Sequence, residues 1–134
     1  MNTDLYISKH RIVQEYLQTI DKLAKQGVKE NAAEIALNIN KMTGIIKMHL
    51  ASEDKLLYPE LLASKSENVK KITKQYMDEM GDLYKAYGNF AEEFRTPSKI
   101  EENSQKFVES FKAVEAALNT RIAREEKELY PLAE

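Results

Sequence analysis

Both histidines of the chain, His10 and His49, interrupt stripes of residues that are otherwise apolar at helical spacing. Glu53 follows His49 by one helical turn, so the two side chains share one face of a helix. Imidazole nitrogens and carboxylate oxygens are ligands that suit iron, manganese or zinc. Because the chain contains no cysteine, any metal must be held by nitrogen and oxygen ligands. These three residues are therefore the first candidates for a metal site.

Four amphipathic stretches must position these side chains. In the first, apolar residues recur every three or four positions and predict a helix from Asp4 to Gln26 with Gly27 as its C-cap. The second predicted helix contains the stripe from Ile35 to Leu56, bends before Pro59 and ends near Ala63. His10 thus belongs to the first helix, and His49 and Glu53 belong to the second.

The third and fourth stretches have the same character. The third predicted helix begins after Ser66, a suitable N-cap, and ends before Thr96-Pro97. The fourth contains the stripe from Phe107 to Leu129 and is closed by Pro131, while residues 96–103 form a longer link or a helical overhang. Short connections predict an all-α fold, an antiparallel up-down-up-down four-helix bundle, as a single domain over residues 1–134.

Composition excludes several classes of function. The chain has 20 Lys and Arg against 22 Asp and Glu, scattered along its length, which leaves no basic surface for nucleic acid. No apolar run approaches the length of a membrane span, and the first thirty residues contain no apolar signal segment. We expect a soluble cytoplasmic protein whose outer helix faces are charged, without nucleic-acid or membrane partners.

Helical geometry predicts that the polar interruptions meet in one interior layer. With a rise of about 1.5 Å per residue, His10 and His49 differ in height by roughly 7 Å. Glu53 and Tyr76 also reach this layer, and Arg121 joins it if about seven residues after Pro97 are overhang. Buried carboxylates cost several kcal/mol each unless a cation compensates them, so the layer requires a metal ion or the arginine.

The fourth helix contributes one of two adjacent carboxylates to this layer. Glu125 and Glu126 differ by a single residue, and the register of the helix decides which of them faces the core. Both alternatives therefore stay open at this point.

Two segments of the chain resemble each other. The first, HLASEDKLLYP, covers residues 49–59, and the second, RIAREEKELYP, follows 72 residues later over residues 121–131. A histidine, an acidic pair and a leucine-aromatic-proline ending, preceded by an early histidine, resemble the hemerythrin-like, or HHE cation-binding, family over essentially the whole chain. Members of that family hold a non-heme di-iron centre with five histidines and two carboxylates, and they bind dioxygen or respond to oxygen, nitric oxide or redox state.

The resemblance implies a ligand set for this chain, which consists of His10, His49, Glu53 and Glu126. Arg121 replaces the family's fourth-helix histidine, and the third-helix histidine pair has no counterpart. Tyr76 and Met80 stand in those positions with Glu79 beside them. Every missing histidine belongs to one of the two metals, so the remaining residues form half a site for one ion, with Arg121 near the place of the second.

Three functions are compatible with this sequence. The first is a metal-binding protein that holds one non-heme iron, or zinc or manganese, binds a small diatomic ligand and serves sensing or metal storage. The second is a metal-free structural or partner-binding bundle in which Arg121 neutralises Glu53 and Glu126. The third is an oxygen-activating mononuclear iron enzyme, although no residue pattern identifies a substrate.

Overall fold

Helix-forming residues dominate the chain, and the computed structural model, which describes residues 1–134, contains helices and no strands. The all-α prediction is confirmed. None of these helices combines the length and the apolar character that crossing a membrane requires.

The first helix, α1, spans Asp4–Gln26, which confirms the predicted boundaries. It ends at Gly27, whose φ of 148° is a conformation that favours glycine and whose N–H donates to the carbonyl of Leu23. The second helix, α2, spans Ala32–Ser52 and carries His49 near its end.

A wider π turn over Glu53–Leu57 follows α2 and leads into the short helix α3, Tyr58–Leu62. The N–H of Tyr58 donates to the carbonyl of Glu53, five residues earlier. Pro59 has no N–H, and its ring would clash with the carbonyl four residues before it in a regular helix. The disturbance predicted before Pro59 therefore takes the form of this turn.

The third long helix, α4, spans Glu67–Glu93. Its predicted N-cap is confirmed, because the hydroxyl of Ser66 accepts a hydrogen bond from the N–H of Val69. The following link contains a separate short helix, α5, Pro97–Glu102, which the fully buried side chain of Ile100 anchors to the core.

The last long helix, α6, spans Ser104–Arg124 and is followed by a second π turn, Glu125–Leu129. In this turn the N–H of Tyr130 donates to the carbonyl of Glu125. Pro131 comes next, within a final 3-10 turn over Tyr130–Ala133. The two copies of the internal repeat thus share the same backbone irregularity at the same place.

Two apolar clusters form the core. The larger contains 19 buried residues, including Val13 of α1, and the smaller contains seven, including Tyr6 of α1. His10 lies between these two along the helix. Buried polar side chains from the other elements lie at the level of His10. Together with His10 they form a set that we call the polar layer, which consists of His10, His49, Glu53, Arg121 and Glu125.

The prediction that the outer helix faces are charged throughout is wrong, most clearly beside α1 and α2. Leu5, Met48 and Leu56 are large apolar side chains that remain exposed, and all three line one cavity beside α1 and α2. Periodicity identified the face of each helix that packs inward but not the apolar residues left on the outside.

Candidate metal centre

The two histidines lie next to each other in the core. His10 comes from α1 and His49 from α2, and their ring centroids are 4.8 Å apart. Each side chain is at least nine-tenths buried. The stripe positions that the two imidazoles occupy thus bring them to the same height in the fold.

Two carboxylates complete this cluster, one from the start of each π turn. Glu53 is fully buried, with Oε1 at 3.5 Å from Nε2 of His49. Glu125 is also buried, with Oε1 at 2.9 Å from Nε2 of His10. The nearest ligand atoms of His10, His49 and Glu125 all lie within 4.8 Å of one another, a spacing from which they could hold a metal ion.

The structure puts Glu125, and not Glu126, inside the core. The Glu126 carboxylate lies at the rim, where its side chain is 20% exposed and Oε2 is 2.8 Å from Nδ1 of His10. Its other oxygen pairs with the guanidinium of Arg11. Glu126 therefore contacts the outer nitrogen of His10, while Glu125 contacts the inner one. The register matters because neighbouring residues on a helix point about 100° apart.

The hydroxyl of Tyr130 lies at the centre of the cluster, although the sequence patterns did not predict Tyr130 as a site residue. It donates a hydrogen bond to Oε2 of Glu53 at 2.8 Å and lies 3.0 Å from Nε2 of His10. Nε2 of His49 is 3.3 Å away, and Oε1 of Glu125 is 3.4 Å away. One phenol thus touches all four candidate ligands.

Arg121 occupies the other half of the polar layer. Its side chain is 6% exposed, and its Nε lies 3.2 Å from Oε2 of Glu125. One terminal nitrogen donates to the hydroxyl of Tyr58 at 3.3 Å, and the guanidinium carbon lies 4.6 Å above the ring of Tyr76. A permanent positive charge therefore stands directly beside the buried carboxylates.

The third-helix candidates surround Arg121 without reaching the histidines. The buried Tyr76 packs its ring against the guanidinium and donates its hydroxyl proton to the carbonyl of Arg124. Glu79 is half exposed and pairs with Arg124 at 2.7 Å, with Arg121 further away at 3.9 Å. Met80 lines the small inner cavity of the layer.

Burial and neighbouring charges shift the pKa values of several side chains in the polar layer. Burial, together with the nearby His10, lowers the pKa of His49 to about 4 and keeps this imidazole neutral at pH 7. Burial and the neighbouring Glu125 raise the pKa of Glu53. Burial alone would raise the pKa of Glu125, but the hydrogen bond to His10 and the charge of Arg121 lower it. Burial also raises the pKa of Tyr130, whose hydroxyl stays protonated.

A cavity of about 30 Å³, the inner cavity, lies between the histidines and Arg121. It has room for one water-sized molecule. In its wall, the buried Oε1 of Glu53 has no hydrogen-bond partner, and Oε2 of Glu125 has only the ion pair with Nε of Arg121, at 3.2 Å. Unsatisfied buried carboxylate oxygens are costly, and a cation is the partner that fits them.

Buried imidazoles and carboxylates that converge from α1, α2 and the end of α6 are typical of helical cation-binding proteins. The family model described as the hemerythrin HHE cation binding domain matches residues 1–133, and the chain belongs to this family. No curated protein and no solved structure is similar enough to match the chain.

Proposed function

We propose that the protein binds one divalent cation, non-heme iron in preference to zinc or manganese, through His10, His49 and Glu125, with Glu53 as a fourth ligand. The observation that carries this proposal is the approach of the first three ligand atoms to within 4.8 Å of one another in a buried layer. The unpartnered Oε1 of the buried Glu53 supports it. When bound, iron would supply one-electron and oxygen chemistry at this position.

In this proposal Glu126 is an orienting residue. A histidine that ligates a metal through one nitrogen almost always donates its other N–H to a carboxylate, a carbonyl or a water. Glu126 Oε2 is the only carboxylate oxygen beside Nδ1 of His10, at 2.8 Å. The carboxylate therefore holds the imidazole with its Nε2 turned toward the candidate centre.

One ion is favoured over two because Arg121 fills the second half of the layer. Its guanidinium contacts Glu125 and Tyr58, and α4 offers no histidine there. A guanidinium keeps its charge at every physiological pH, so it replaces the attraction of a second cation for the carboxylates.

We also propose a role for the bound cation and an arrangement of the long helices. We propose that the bound cation serves the sensing of oxygen, nitric oxide or redox state, with a small diatomic molecule as its further ligand, or the storage of metal. The four long helical stretches are proposed to form the antiparallel up-down-up-down bundle, with short connections after Gln26 and Leu62.

A metal titration tests this function. Protein purified without chelator, or reconstituted with Fe(II) under anaerobic conditions, should contain about one equivalent of metal, because one set of ligands is intact. His49→Ala should lose the metal, and Lys47→Ala, an exposed change on the same helix, should retain it. Elemental analysis with circular dichroism as a folding check gives the result. Folded wild type that takes up no metal would contradict the proposal.

The central hydroxyl favours a second candidate function, a metal-free structural or partner-binding domain. Tyr130 already satisfies Glu53 with a hydrogen bond and lies near both histidines. Arg121 supplies the charge that Glu125 needs. In this alternative no ion enters the layer, and the guanidinium of Arg121 takes its place beside Glu125.

Tyr130→Phe separates the two functions. Because the hydroxyl competes with a cation for the same four ligands, its removal should tighten cation binding about tenfold or more, since a hydrogen bond to a charged group contributes about 1.5–3 kcal/mol. Zinc affinity of both proteins, measured against a chromophoric chelator, gives the comparison. Tyr87→Phe, a buried tyrosine in the larger apolar cluster, is the matched control. Weaker binding in Tyr130→Phe would show that the phenol is a ligand and not a competitor.

A further inference from the structure

A second, larger cavity of about 270 Å³ opens beside the polar layer, between the start of α1 and the end of α2. We call it the outer cavity. Leu5, Met48 and Leu56 form its apolar wall, although they are 77%, 64% and 59% exposed. Exposed apolar side chains that line one concave surface are a feature of ligand-binding grooves. This concave surface therefore suits the apolar part of a ligand.

Charge in the outer cavity has one sign. Lys9 is the only charged side chain in its wall, although the chain contains 22 acidic residues. The ammonium of Lys9 forms no ion pair with any carboxylate of the protein. An unpaired cation next to an apolar wall is complementary to a ligand with an anionic head and an apolar tail.

His49 borders both the outer cavity and the polar layer, since it also lines the wall. Its Nε2 lies toward Tyr130 and Glu53, while Nδ1, on the other side of the ring, is buried without a hydrogen-bond partner. The His49 ring therefore separates the outer cavity from the polar layer, and its buried Nδ1 is not accessible to a ligand in the cavity.

We propose that the outer cavity binds a monocarboxylate with a short apolar tail. The tail packs against Leu5, Met48 and Leu56, and the carboxylate pairs with the ammonium of Lys9. Of the candidate cation ligands, only His49 borders this site, and its apolar and Lys9 contacts do not require a bound metal.

The volume of the cavity limits the length of the tail. Each water occupies about 30 Å³ in the liquid, so 270 Å³ corresponds to roughly nine such volumes. Octanoate, with about ten non-hydrogen atoms, is the matching probe, and its affinity should be roughly millimolar or tighter.

Calorimetric titration of metal-free protein with a series of carboxylates tests the proposal. From butanoate to octanoate, each methylene should tighten binding about fourfold, because each is buried against the apolar wall. Met48→Asp should abolish binding by placing a like charge in the wall. Lys9→Gln should weaken binding about fivefold, and Lys22→Gln, an exposed change further along α1, should leave it unchanged.

Two outcomes would overturn the proposal. Affinity that does not depend on chain length, or that survives both Met48→Asp and Lys9→Gln, would mean that the carboxylates bind elsewhere. A concentration-dependent dimer that Met48→Asp disrupts, without heat from octanoate, would mean that a second copy of the chain covers this surface. Because the titrations use metal-free protein, failure of the proposed cation site would not change their result.

Discussion

Glu125→Gln is expected to weaken cation binding more than 100-fold, whereas Glu126→Gln should weaken it only about tenfold. The first change removes the charge of a buried carboxylate whose Oε1 lies 2.9 Å from the inner nitrogen of His10. An amide oxygen is a poorer ligand for a divalent cation than an ionised carboxylate. The second change alters only the partner of the outer nitrogen of His10.

These two variants control each other. They are adjacent, remove the same charge and keep nearly the same side-chain volume, so a general electrostatic effect would weaken both alike. Competition titrations with zinc and a chromophoric chelator give both affinities. The opposite order, with Glu126→Gln more damaging, would restore the ligand set that the family resemblance implies and contradict the inward position of Glu125.

The internal repeat favours one of the two carboxylates, Glu125 and Glu126, between which helical geometry alone could not decide. The residue 72 positions after Glu53 is Glu125, and the two lie at the start of equivalent π turns. Glu53 follows His49 by one turn, and Glu125 follows Arg121 by the same interval. The resemblance points one residue further, to Glu126, whereas matching the two halves of this chain points to the buried carboxylate.

Tyr130 could have been proposed on the same ground, as the repeat partner of Tyr58. What the sequence does not display is how far the side chain reaches inward. A π turn contains one more residue than a regular turn, so it rotates every following side chain about the helix axis. Only the two prolines mark these turns, and a proline indicates a disturbed helix without specifying its geometry.

Helix boundaries were easier to predict because local interactions determine them. Gly27 ends α1 through a backbone conformation that other residues rarely adopt, and Ser66 begins α4 through one hydrogen bond from its side chain. The outer cavity depends instead on how α1 and α2 pack together. Leu5 and Met48 are far apart in the sequence, so no local pattern predicts that they share a wall.

Arg121→Met is expected to lower the free energy of unfolding of the metal-free protein by about 3–5 kcal/mol, the usual cost of removing one partner from a buried ion pair. Glu125 would keep a buried charge without its cation, and the hydroxyl of Tyr58 would lose a donor. Methionine has a similar length, so loss of packing contributes little. Urea unfolding followed by circular dichroism measures the change.

The stabilisation of Arg121→Met by added zinc tests the proposed cation site. A cation bound only by the folded state stabilises it by about 2.7 kcal/mol at a hundred times its dissociation constant. Arg121→Met should gain more from added zinc than the wild type, because the cation then neutralises Glu125 without repulsion from the guanidinium. The control Arg124→Met removes a half-exposed arginine one turn further along α6. It should lower the free energy of unfolding by less than about 1 kcal/mol, and zinc should stabilise it no more than it stabilises the wild type. If zinc fails to stabilise folded Arg121→Met, the buried carboxylates do not bind a metal cation even after the guanidinium has been removed. The polar layer would then have a structural role alone.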